Sequence, residues 1–193
     1  MKKRTLALIL ALVLVFGAAV GGTIAYLTDT DTVTNTFTVG KVDITLDEAK
    51  VTEYGVIDST ANTRVTENTY KLIPGHNYTK DPTIHVAADS EDCWLFAKIE
   101  NGLGEKATLN IDATKWTKVT GTENVWAYNT KVSAGANVTV FTQFTFSKDV
   151  TATQLPSYDA KTIVVTACAV QADGFATAAA AYDEAPAAFK PAT

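Results

Sequence analysis

Few side chains in this sequence have the type and spacing that chemistry requires. His76 and His85 are its two histidines, and they flank the Asp81-Pro82 break. A fold that brought both imidazoles together would give a zinc ion two nitrogen ligands, but a catalytic zinc takes three protein ligands and keeps one position open. No His-Glu-x-x-His pair supplies the missing ligand, and no Gly-x-Ser-x-Gly, Cys-x-x-Cys or phosphate-cradling glycine loop occurs anywhere in the chain. Asp29 with Asp31, and Asp89 with Glu91 and Asp92, offer hard oxygens to calcium. Neither group has the spacing of a calcium loop, so both read as solvated turn charges. Cys93 and Cys168 are the two cysteines. Outside the cytoplasm they are a possible disulfide, and equally each is a small apolar core residue. Asn77-Tyr78-Thr79 and Asn137-Val138-Thr139 match the glycan acceptor pattern, a chance match in a bacterial-type chain. On this reading no residue is assigned to catalysis, no cofactor is expected, and His76 and His85 stay weak metal candidates.

The compartment is written at the start of the chain. Lys2-Lys3-Arg4 precede an uncharged stretch whose centre, Leu6 to Val15, is almost wholly aliphatic, which is the layout of a secretory signal. Thr23 and Ala25 occupy the −3 and −1 positions of a cleavage site, so residues 1–25 are read as signal peptide and Tyr26 as the first mature residue. Left uncut, the same segment is long enough to anchor the chain in a bilayer. That is the membrane contact expected. The whole chain carries a formal charge of −5, and the removed segment holds basic residues but no acidic ones. The mature chain is therefore still more acidic, which argues against nucleic acid or anionic lipid as a partner.

From Thr32 onward polar and apolar residues alternate in short bursts rich in Thr and Val, the period of half-buried strands. Val33, Phe37 and Val39 share one parity, with Asn35 between them. After Gly40 the apolar set moves to Val42, Ile44 and Leu46, so the chain must bulge or turn there. Residues 49–69 lack periodicity and read as a long connection with at most one short strand. Pro74-Gly75 suits the centre of a type II turn. Cys93 to Ile99 and Lys161 to Val170 are apolar on both parities, and both are expected to be central strands. Val138, Val140, Phe144 and Phe146 define one face, and Phe175 to Ala185 reads as a short helix with Asp173 near its start. The expected fold is all-β, a two-sheet sandwich of jelly-roll type with a short C-terminal helix, in one domain over residues 41–193. Trp94 and Phe96 are expected in its core.

The junction Gly21-Gly22-Thr23-Ile24-Ala25-Tyr26-Leu27-Thr28-Asp29, with Asn35-Thr36-Phe37-Thr38-Val39-Gly40-Lys41-Val42, resembles the start of the TasA and camelysin family of secreted biofilm-fibre proteins. Pro74-Gly75, Lys80-Asp81-Pro82, Ser90-Glu91-Asp92-Cys93-Trp94 and Ala169-Val170-Gln171-Ala172-Asp173-Gly174-Phe175 are similar to members from Gram-positive bacteria. The resemblance implies processing by a dedicated signal peptidase, SipW. It also implies a jelly-roll subunit whose N-terminal strand, residues 26–40, leaves its own domain to complete a sheet in the next copy. Val33, Phe37, Val39 and Gly40 then form the donor strand of a homo-oligomeric fibre in the extracellular matrix or on the cell surface. Members of the family are also classed as metallopeptidases, and a monomeric surface adhesin is a further alternative.

Overall fold

The computed structural model describes residues 41–58 and 63–191. The cleavage site at Thr23, Ala25 and Tyr26, and the strand expected through Val33, Phe37, Val39 and Gly40, lie outside the described residues. Alternating Thr, Val and aromatic residues fold into strands β1 (Ile44–Ala49), β2 (Arg64–Val65), β3 (Asn77–Thr79), β4 (Thr83–Val86), β5 (Cys93–Asn101), β6 (Ala107–Leu109), β7 (Trp116–Lys118), β8 (Val125–Tyr128), β9 (Asn137–Thr139), β10 (Gln143–Phe146) and β11 (Ile163–Gln171). One α-helix, α1 (Ala178–Tyr182), follows them. Its N-cap is Thr177, whose hydroxyl accepts the Ala180 N–H at 3.2 Å, so Asp173 does not cap it.

Among the described residues all strand pairs are antiparallel, in three sheets ordered β2-β1-β4-β9, β3-β10-β6 and β11-β5-β8-β7. The all-β sandwich expected from the sequence is present, with three sheets in place of two. The extra division has a local cause. β3 and β4 run alongside β10 and β9, and both partners break at the same level. Pro82 has no N–H to give the ladder, so the pairing is carried across the break by Lys80 N–H to Thr142 O and Val140 N–H to Pro82 O. Asn110 pins the far side, its Oδ1 accepting the N–H groups of Thr142 and Gln143.

The described residues form three cores. Gly40–Thr193 form one compact unit. On β5 the odd residues Leu95, Ala97 and Ile99 face Ile84, Val86 and Val138 of the β1–β4–β9 sheet. The even residues Trp94 and Phe96 face the other way, under Ala181, Tyr182, Ala185 and Phe189 of the C-terminal segment. The third core gathers Tyr78, Phe144 and Phe146 with Leu103 and Val150. Ile73 to His76 turns about Gly75 at φ +80, as Pro-Gly predicts. Gly55 is required sterically: at φ +73, a Cβ would stand 2.7 Å from the Tyr78 Cα.

β11 corrects an expectation. It is apolar on both parities yet, among the described residues, pairs only with β5 and stands at the edge of its sheet, its outer face covered in the upper part by the C-terminal segment. Phe96 is fully buried and touches the Tyr182 ring. Truncation by Phe96→Ala is expected to cost about 3–5 kcal/mol, measured as a shift in the urea midpoint of residues 26–193.

Candidate binding groove

The two thiols are brought onto paired strands and kept apart. Cys168 lies opposite Phe96 and Cys93 opposite Gln171, so their side chains emerge on opposite faces of one sheet. Cys93 is in the core against the β1–β4–β9 sheet, and Cys168 packs under the C-terminal segment. Both are free, and the possible disulfide does not form. Burial pushes the Cys93 thiol up to about 11 and the Cys168 thiol up to about 12.

The histidines also stay apart. His76 precedes β3, where its Nε2 lies 3.0 Å from the Tyr54 carbonyl and its ring packs edge-on against Tyr78. His85 is on β4, between Asn137 Oδ1 and Asp47 Oδ1, each at 2.7 Å. Among the described residues no three His, Cys, Asp or Glu side chains converge as metal ligands. Those residues therefore do not fit a catalytic zinc site. Asp89 is 3.8 Å from Lys41 in the turn that also holds Glu91 and Asp92. Asp29 and Asp31 lie outside the described residues.

What the fold does assemble is a seam. The core-facing residues of β5 are buried, yet their partners on β11, Val165, Ala167 and Ala169, are only half-buried. β1 repeats the pattern: Ile44 and Leu46 are half-buried although Val86 and Ile84, opposite them on β4, are buried. Among the described residues, β2 pairs with β1 only at Glu48 and Ala49, and nothing pairs with the outer edge of β11. The core is closed through its middle and open where β1 and β11 face each other. Where β1 ends and β11 begins, the seam widens into a groove of about 1040 Å³. Its apolar lining includes Leu46, Leu72, Phe144, Leu155, Ile163 and Val165.

One wall of the groove is charged and buried. Glu48 shares the core-facing parity of Ile44 and Leu46, and it is 4% exposed. Lys80 Nζ is 2.5 Å from its Oε2, and Asn68 Nδ2 donates to Oε1 at 2.9 Å. Asn68 also donates to the Ala49 carbonyl and accepts the Val51 N–H, tying the 63–72 segment to the end of β1. Behind this wall the Tyr70 hydroxyl donates to Thr79 O. Burial first, then the charges of Glu48 and Asp81, raises its pKa and keeps it neutral. On the outer face Arg64 grips Asp47 at 2.5 Å and Asp81 at 3.1 Å. Burial pulls the Asp47 carboxyl upward, but Arg64 and His85 outweigh it and hold the carboxyl below its usual range.

Glu48, Asn68 and Arg64 were not singled out from the sequence, and Lys80 entered only within the Lys80-Asp81-Pro82 resemblance. Glu48 had a signal, being a charge on the apolar parity of its strand. The others sit in connections without periodicity.

Residues 1–84 match the family model of camelysin metallo-endopeptidase. The camelysin match covers less than half of the chain and agrees with the resemblance read at its N-terminus. It ends within β4, so it includes β1 and the whole 63–72 wall of the groove. No curated protein and no solved structure matches the chain. No helix among the described residues is long and apolar enough to cross a membrane.

Removing the clamp by Asn68→Ala leaves Glu48 short of a donor in a buried site and is expected to cost about 1–3 kcal/mol, read as a fall in thermal midpoint. With both thiols raised, a disulfide-exchange reagent at neutral pH should titrate neither in the native protein and both in denaturant, and a reductant should leave the melting curve unchanged.

Proposed function

We propose that this chain is a secreted structural subunit that assembles head to tail, the N-terminal segment of one copy adding as a strand to β11 of the next. The observation that carries this reading is the open seam. Among the described residues a nine-residue, largely apolar strand is paired on one side only, beside core residues that are half-buried along that same edge. A strand laid there gains main-chain hydrogen bonds and seats alternate side chains in the groove. Long apolar edges are otherwise a liability that natural sheets cover or charge.

The segment 26–39 has the matching chemistry, with Val33, Phe37 and Val39 on one parity and threonines on the other. Such a contact joins different surfaces on the two copies and need not close, so it propagates as a filament. Release of Tyr26 by a dedicated signal peptidase frees the donor segment, which makes export and assembly one event. The match to the camelysin family supports a place at the cell surface or outside it.

Electron microscopy of purified residues 26–193 beside residues 40–193, at matched concentration, tests this reading. Filaments are expected from the first and monomers from the second. Monomers from both, or filaments from both, would overturn strand donation by this segment.

A further inference from the structure

We propose that Lys80 and Asn68 react with each other inside the folded chain, forming an amide bond between their side chains while Glu48 carries the protons. The two reactants meet on one carboxylate. Glu48 is 4% exposed, with Lys80 Nζ 2.5 Å from its Oε2 and Asn68 Nδ2 donating to its Oε1 at 2.9 Å. Amine and amide therefore stand one carboxylate apart. Three partners hold the Asn68 amide in a single orientation, because Nδ2 also donates to the Ala49 carbonyl and Oδ1 accepts the Val51 N–H at 3.0 Å.

Each contact matches a need of the reaction. An amine attacks only after losing a proton, and Glu48 Oε2 is placed to accept it. An amide carbonyl is a poor electrophile. The Val51 N–H already points at the oxygen on which negative charge develops, the place of an oxyanion donor. The nitrogen that must leave is hydrogen-bonded to the same carboxylate that takes up the proton.

The steps balance without an added reagent. The Lys80 ammonium gives a proton to Glu48, and its freed lone pair attacks Cγ of Asn68. Glu48 then protonates Nδ2, the Cγ–Nδ2 bond breaks and ammonia departs. The new amide nitrogen loses its extra proton through Glu48 to the ammonia. Lysine ammonium and carboxamide thus become a secondary amide and ammonium, and Glu48 ends as it began. The backbone keeps the reactants in place: Ala49 N–H donates to Asp81 Oδ1 at 2.6 Å, and Lys80 N–H to Thr142 O. Well-oriented groups of this kind react as if at on the order of 10⁵ M or more, which is what a reaction as slow as amide exchange requires. The bond is independent of strand donation.

Intact-mass and tryptic mass spectrometry of folded residues 26–193 tests it. The chain is expected to be one ammonia lighter than its sequence. Trypsin does not cut after an acylated lysine, so a branched species joining residues 65–71 to residues 72–98 is expected. Glu48→Gln keeps the shape and removes the proton carrier, and Lys80→Arg removes the nucleophile. Both variants should keep full mass. If circular dichroism shows that Glu48→Gln does not fold, Glu48→Asp replaces it, and its shorter carboxylate should leave most of the chain at full mass. Full mass in the native chain, with cleavage after Lys80, overturns the proposal. A loss of water, which marks a Lys80–Glu48 bond, overturns it as well, as does an ammonia loss confined to residues 65–71, which marks cyclisation at Asn68 alone. The branched species forming fully in the Glu48 variant removes Glu48 as proton carrier.

Discussion

The rest of the molecule depends on β5 being covered on both faces. A strand apolar on both parities must bury both sides, and here the two sides require different partners. The odd residues close on the β1–β4–β9 sheet, and the even residues on the C-terminal segment through Tyr182, Ala185 and Phe189. Lys98 reaches the Ala188 carbonyl and the Tyr182 hydroxyl reaches the Phe189 carbonyl, so the covering is held by hydrogen bonds as well as by area. β5 also pairs with β8 on one side and β11 on the other. Once β5 is fixed in this way, β8 and β11 take its two edges.

The open seam follows from that placement. Among the described residues β11 shields the core on its inner parity but has no strand beyond it, and β1 is paired with β2 only at its end. Closing the seam within one chain would need another strand between these edges. Instead its wide end is lined by side chains from the 63–72 segment, from Leu155 and Tyr158, and from β11 itself. The Glu48–Lys80 pair is the costly element of this lining, since two charges lose water there and recover it only through each other and Asn68. An apolar pair of similar volume would fill the same space at less cost in desolvation.

Much of this was legible before any coordinates. Period-two alternation gives the strands from Ile44 onward, Pro74-Gly75 gives its turn, and the double-faced apolarity of Cys93 to Ile99 gives the central strand. The same signal reads Lys161 to Val170 as central, whereas among the described residues β11 is paired on one side only, because apolarity on both parities reports covered faces and says nothing about covered edges. Backbone pairing carries no side-chain signature, so edge and centre read alike once a helix or strap hides the outer face. The break that makes three sheets was half visible, at Pro82. Its other half at Thr142 depends on Asn110, which is remote in sequence.

By itself the sequence determined the all-β class, the apolar N-terminal segment, the core role of Trp94 and Phe96, and the absence of familiar catalytic motifs. These follow from local composition and parity, which each segment carries whatever its neighbours do. Only the tertiary structure decided that Cys93 and Cys168 lie back to back across one sheet, that His76 packs against Tyr54 and Tyr78 while His85 meets Asp47 and Asn137, and that Glu48 meets Lys80 and Asn68 in a groove beside an edge that no other described strand pairs. Each of those facts is a relation between segments. The register of long-range pairing sets such relations, and that register is chosen by how all the faces bury together.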